Sequence, residues 1–225
     1  MGVVAGIDEA GRGPVLGPLV MAVVACKEGD KEFLNKIGVR DSKLLTPAKR
    51  VKLFRLIRTR CEHAIIKVSP IEIDAALRDP KSSLNELEAL TSGKLIRRVT
   101  AKISVSKIIL DLPSRSMESY IDAVRRKLSF PANAIPITAE YQADRNHIEV
   151  AAASILAKVT RDRTMRTLER RLGVLLGSGY PADETTIAGL HKHFALLCKH
   201  KVVRLEWRTT KELLEARRQR RLTNF

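Results

Sequence analysis

Aromatic residues are scarce, at 4% of the 225 residues. That scarcity argues against a binding mode built mainly on extended base stacking. Cysteine is scarcer still. Cys26, Cys61 and Cys198 stand apart, an odd count without C-x-x-C spacing, which reads as reduced core thiols in an intracellular protein. A membrane-spanning run is missing too: the apolar stretch 15–26 is too short and contains Pro18. Asp8 and Glu9 interrupt the N-terminus before a secretory h-region can form. A cytoplasmic protein with no membrane partner is therefore expected. There is no internal repeat and no low-complexity linker.

Apolar residues make up 44% of the chain, enough for a real core in one sizeable domain, or in one domain with a helical appendage. Lys and Arg outnumber Asp and Glu, giving a formal charge of +16. Such an excess favours nucleic acid or another polyanion as partner. Charge alone does not make an enzyme, because structural RNA-binding proteins share it.

The chain is organised around Gly6-Ile7-Asp8-Glu9-Ala10-Gly11-Arg12-Gly13-Pro14, set between short β-branched runs at 3–5 and 19–25. Those runs read as strands. Two adjacent carboxylates thus stand at the end of a buried strand, where charge is costly without metal or hydrogen bonds. Neighbouring strand side chains point to opposite faces, so Asp8 and Glu9 share one spot only if the strand ends or bulges there. Gly11 and Gly13 let the backbone approach a ligand, and Arg12 offers a planar cation suited to phosphate. A glycine-rich hairpin with solvated charges fits this stretch as well.

Further strands are expected at 64–68, 107–111 and 134–138, the last near an edge because of Pro136. Thr46-Pro47 and Ser69-Pro70 open helices, and others are expected at about 83–102, 117–128, 186–200 and 209–221. Asn146 with Glu149 resembles a capping box, opening a helix to about Leu172. Strands alternating with helices after an initial hairpin indicate an α/β domain with a mixed sheet.

Asp111 ends an expected strand as Asp8 does, and Asp144 follows the last strand. Ligands of α/β sheets gather outside the carboxyl ends of strands. Four carboxylates converging there repel one another unless divalent cations bind, and hard oxygen ligands suit Mg²⁺ or Mn²⁺. Read singly, Asp111 fits a turn residue and Asp144 a surface charge. His191-Lys192-His193 reads as solvated, since its histidines are two apart rather than three or four.

Taken together the motifs resemble ribonuclease HII, the type 2 ribonuclease H, and its archaeal members most. The pieces are GIDEAGRGPVLGPLV (6–20), DSKLL (41–45), SLNELE (83–88), IILD (108–111), QAD (142–144), VAAASILAKVTRDR (150–163) and GSGYPAD (177–183). The resemblance implies a ribonuclease H-like mixed sheet flanked by helices, with a C-terminal helical extension. It sets a catalytic domain at 1–180 and an extension at 181–225. It makes Asp8, Glu9, Asp111 and Asp144 the catalytic and metal-binding carboxylates. It implies hydrolysis of RNA in RNA/DNA hybrids and incision 5′ of single ribonucleotides in duplex DNA, by two metal ions, leaving 3′-hydroxyl and 5′-phosphate ends. Gly11, Arg12 and Gly13 would grip the 2′-hydroxyl through backbone contacts. Tyr180 would pack beside the following deoxyribose, and Lys43, Asn85 and Lys158 would lie near phosphates. A monomer is expected.

The other class considered is a non-catalytic basic RNA-binding protein, which gains nothing from buried carboxylates. A transposase- or junction-nuclease-like relative has no need to sense a 2′-hydroxyl. The tail 219–225 resembles a short sliding-clamp-binding motif, with Gln219, Leu222 and Phe225 at three-residue steps. A frayed terminus docked on the protein's own surface is the simpler alternative.

Overall fold

The computed structural model describes residues 2–112, 116–129 and 132–222, the last three by backbone alone. Its elements are β1 (Val3–Ala10), β2 (Leu19–Cys26), α1 (Glu28–Lys36), α2 (Pro47–Arg60), β3 (Glu62–Val68), α3 (Pro70–Arg78), α4 (Leu84–Thr100), β4 (Val105–Asp111), α5 (Met117–Arg125), β5 (Ile137–Glu140), α6 (Ala143–Asn146), α7 (Ile148–Leu172), α8 (Glu184–Lys199) and α9 (Arg208–Leu222). The strands form one sheet in the order β3-β2-β1-β4-β5. β1 is antiparallel to β2 and parallel to β4, which is parallel to β5. The expected mixed sheet is therefore present, with β5 at an edge.

The chain groups into two compact units that interleave along the sequence. The first holds residues 1–10, 20–67 and 84–160, and the second 11–19, 68–83 and 161–225.

In the first unit, Val20, Ala22 and Val24 of β2 share a core with Leu53, Phe54 and Ile57 of α2 and with Ala151, Ala152, Ala153, Ile155 and Leu156 of α7. The alanines let α7 come close to the sheet. Contact is tightest at Gly6, where any Cβ would collide with the backbone of Glu149 and Val150. Val4 packs with Ile109 and Val150. By strand alternation Val4, Gly6 and Asp8 share the face turned to α7, and Glu9 points the other way.

In the second unit, Val15 and Leu16 join Met165, Leu176, Leu190, Leu197, Val203 and Leu213 in a separate core. Leu16 also pairs with Val203 in an isolated bridge. Arg217 docks α9 on α8: its guanidinium donates to the His191 carbonyl at 2.6 Å and lies 4.7 Å from the Phe194 ring.

Several expectations are corrected. β1 does not end at Asp8 but continues to Ala10. β5 begins at Ile137, because Pro136 has no N–H for the ladder and contributes its carbonyl to Ile108 N instead. Asn146 does not cap α7. It closes α6, and its side chain donates to Glu140. α1 was not expected at all. Cys26 and Cys61 are free and buried, as reduced core thiols would be, whereas Cys198 is free but only half-buried at the edge of the second core. No described helix is long and apolar enough to cross a membrane.

Candidate active site

β1, β4 and β5 run parallel, so their carboxyl ends lie together. Asp8 and Glu9 stand near the end of β1, Asp111 is the last residue of β4, and Asp144 follows β5 on α6. Carboxylate oxygens of Asp8, Glu9 and Asp111 all lie within 4.8 Å of one another. The recorded pairing of β1 with β4 stops at Ile7 and Leu110, one residue before both aspartates. Asp8 and Glu9 remain paired with Ala22 and Met21 of β2, and Asp111 with Glu140 of β5, but the gap between β1 and β4 is unlaced there, so their side chains can turn towards one point. The Glu9 N–H donates to Asp8 Oδ1 at 2.6 Å.

Burial is the first cause that raises the carboxyl pKa of Asp8, followed by the charge of Asp111, while Ser154 and the Glu9 N–H oppose it. Asp111 is pushed up to about 6, by burial first and then by Asp144, against a hydrogen bond from Ala143 N. That bond measures 2.8 Å. Asp144 is not one of the close trio. It is raised by burial and by neighbouring Asp41, and its own charge raises both Asp8 and Asp111. Mutual elevation of this kind marks carboxylates held together at a cost that a cation relieves. An all-oxygen donor set of this charge fits a hard divalent ion.

Lys43 is exposed, and its charge lowers the pKa of both Asp111 and Asp144. The structure thus brings Lys43 to the carboxylates. Lys158 is half-buried on α7, one turn beyond Ser154 and on the same helix face. Asn85 is half-buried in the first turn of α4.

Three neighbours of the site were not singled out from sequence. Asp41 hydrogen-bonds Asp144 and accepts from Lys43 N at 2.9 Å. Ser154 hydrogen-bonds Asp8, and its hydroxyl lies 2.9 Å from that of Ser42. Asp41 and Ser42 adjoin Lys43 in DSKLL, and Ser154 is the one hydroxyl in the run VAAASILA, so a polar residue amid alanines was the available signal.

In the second unit, Gly11, Arg12, Gly13 and Tyr180 are brought together. A Cβ placed on Gly13 would lie 3.5 Å from Tyr180 Cε1. Gly11 has φ +88°, which a side chain rarely adopts, and Arg161 fills the space its Cβ would take. The Arg161 guanidinium lies 5.4 Å from the Tyr180 ring. Gln219 is exposed on α9 and Leu222 ends that helix, while Phe225 lies outside the described residues.

A helix-flanked mixed sheet in this order, with acids at the carboxyl ends of its parallel strands, defines a ribonuclease H-like fold with a cluster of acids that could hold a cation. The family model for Ribonuclease HII matches residues 5–210. The ribonuclease HII of Pyrococcus abyssi is 39% identical over 225 residues, covering 98% of this chain and 95% of its own. The ribonuclease H2 structure from Pyrococcus horikoshii OT3 superposes with a TM-score of 0.82 at 37% identity, over 96% of this chain and 99% of that one. Ribonuclease HII from Archaeoglobus fulgidus, solved as a complex with PCNA, gives 0.79 at 35% identity, over 92% and 95%. The chain belongs to the ribonuclease HII family. It is a metal-dependent ribonuclease, a hydrolase that cleaves RNA within RNA/DNA hybrids, which decides against a non-catalytic RNA binder.

Proposed function

We propose that the enzyme both hydrolyses the RNA strand of hybrids and incises on the 5′ side of single ribonucleotides in duplex DNA. The ends left are 3′-hydroxyl and 5′-phosphate, and the site takes two Mg²⁺ or Mn²⁺ ions. The observation that carries this reading is the convergence of Asp8, Glu9 and Asp111 oxygens within 4.8 Å of one another. These three, with Asp144, would hold the cations. Bound there, cations supply the Lewis acidity that activates water and stabilises a leaving 3′-oxygen.

The chain's own residues orient and select. Ser154 fixes the Asp8 carboxylate. Lys43, beside Asp111 and Asp144, meets a substrate phosphate, and Asn85 and Lys158 add contacts to the backbone of the duplex. Gly11, Arg12 and Gly13 read the 2′-hydroxyl, the group that separates RNA from DNA. Tyr180 packs against the deoxyribose after the ribonucleotide. The charge of +16 supplies affinity independent of sequence. The enzyme acts as a monomer in this reading, and we place it in the cytoplasm with its substrates. The PCNA complex of the Archaeoglobus fulgidus relative supports a sliding clamp as partner, and the tail residues Gln219, Leu222 and Phe225 are our proposal for the contact.

The test is cleavage of a DNA duplex carrying one ribonucleotide, with and without Mg²⁺ or Mn²⁺. Incision 5′ of the ribonucleotide only when metal is present is expected. Metal-independent cleavage, or none, overturns the reading.

A further inference from the structure

Arg204 is fully buried. Its Nε donates to the Gly17 carbonyl at 3.0 Å, Nη1 to that of Arg12 at 2.8 Å and Nη2 to that of Gly11 at 2.6 Å. Trp207, three residues on, donates its indole N–H to the Gly13 carbonyl at 3.1 Å. The guanidinium lies 4.7 Å from the Trp207 ring. One short segment therefore engages the carbonyl of every residue in the Gly11-Arg12-Gly13 loop.

The segment is itself fixed. Arg204 N donates to the Val15 carbonyl at 2.9 Å. Buried Asp74 on α3 accepts from Leu205 N at 2.8 Å and Glu206 N at 3.0 Å. Glu206 bridges Arg78 at 2.7 Å and Lys211 at 2.8 Å. On another side of the loop, buried Arg161 donates to the Ser178 carbonyl at 2.8 Å and occupies the space beside Gly11.

Burying a guanidinium is expensive, and satisfying its rigid fork of donors with backbone carbonyls fixes the shape of whatever supplies them. A loop that reads a ligand by its backbone has no side chain to adjust, so its discrimination depends on a preset shape, held to about 0.5 Å. We propose that Arg204 and Trp207 are positioning residues for ribose discrimination, holding the Gly11-Arg12-Gly13 loop in shape before substrate arrives. This rests on the reading of that loop as the sensor of the 2′-hydroxyl.

Two variants test it. Trp207→Phe keeps a ring against Arg204 and removes only the N–H to Gly13. Arg204→Lys replaces a three-pronged clasp with a single ammonium. On the duplex carrying one ribonucleotide, kcat/KM should fall about tenfold in Trp207→Phe and about a hundredfold in Arg204→Lys, from buried acceptors left without donors. Mn²⁺ affinity by calorimetry and affinity for an all-DNA duplex by anisotropy should stay at wild-type values. If Arg204→Lys does not fold, Trp207→Phe decides. Wild-type kcat/KM in the folded variants overturns this inference alone, as does a loss matched by equal losses in Tm and in both affinities. Wild-type protein that fails to incise at the ribonucleotide overturns the reading of the loop, and this inference with it.

Discussion

The hydroxyls of Ser42 and Ser154 lie 2.9 Å apart although 112 positions separate them. Ser154 also hydrogen-bonds Asp8, so the pair links the turn carrying Lys43 to a carboxylate of the cation site. Ser154→Ala removes both bonds without adding bulk. Partners that orient a ligand typically cost about tenfold or more in metal affinity when lost. Calorimetric titration with Mn²⁺ should show about that weakening, with stability lowered by about 1 kcal/mol. Unchanged cation affinity would leave Ser154 as ordinary packing.

Asp111 should make the metal-free protein sensitive to pH. Its pKa is raised to about 6, so folding favours the protonated acid. The sign follows: that contribution is full below the ordinary carboxylate value of about 4 and is lost as pH rises through about 6. In chelator, urea midpoints should therefore be higher near about pH 5 than near about pH 7.5, and Asp111→Asn should shrink the difference, with Asp8 and Asp144 supplying the rest. Protons compete with cations for the same oxygens, so Mn²⁺ affinity should fall as pH drops through about 6. The same pH slope in Asp111→Asn as in wild type would move the effect to another group.

Tyr180 is 40% exposed, with its ring against Gly13 and over Arg161. Tyr180→Ala should shift the ratio of kcat/KM between a single embedded ribonucleotide and a uniform hybrid by about tenfold, against the embedded one, equivalent to about 1.4 kcal/mol of lost contact at the sugar. Matched kinetics on the two substrates measure it. An unchanged ratio would make Tyr180 a packing residue of the loop.

Sequence pattern revealed the elements whose signals are local. The β-branched runs gave β1 through β4, and Thr46-Pro47 and Ser69-Pro70 gave the starts of α2 and α3, each with its side-chain cap in place. α1 was overlooked because it is short and polar, and its N-cap is Lys27 rather than Ser, Thr, Asp or Asn. Asn146 followed the capping pattern, but Glu140 and the turn of α6 claimed its side chain. The strand-end acids were legible because carboxylates beside apolar runs are rare. Their supports were not. Ser154, Arg161 and Arg204 act through partners distant in sequence, and buried arginines within a chain of such basic charge look like surface cations until contacts are known. The grouping of residues 11–19 with 161–225 is likewise tertiary, since nothing in a glycine loop announces which distant segment will hold its carbonyls.

The last prediction concerns the C-terminal tail. Gln219 lies on α9, whose last residue is Leu222, and the two are three positions apart in sequence. The turn before them is held firmly, since Arg217 bonds the His191 carbonyl at 2.6 Å and covers Phe194. The helix that leads into the tail is therefore anchored on α8. An aliphatic residue and an aromatic plugging one apolar groove is a recurrent helix-in-groove mode of recognition. With a single aromatic in this tail, a Kd of about 1 μM is expected, or about 8 kcal/mol. Deleting residues 222–225 should abolish binding to the cognate PCNA-type clamp and leave cleavage of short duplexes, where no clamp is loaded, at wild-type rates. Calorimetry of intact and truncated protein against that clamp decides the matter. Equal binding by both, or binding by neither, sinks the tail as a clamp ligand.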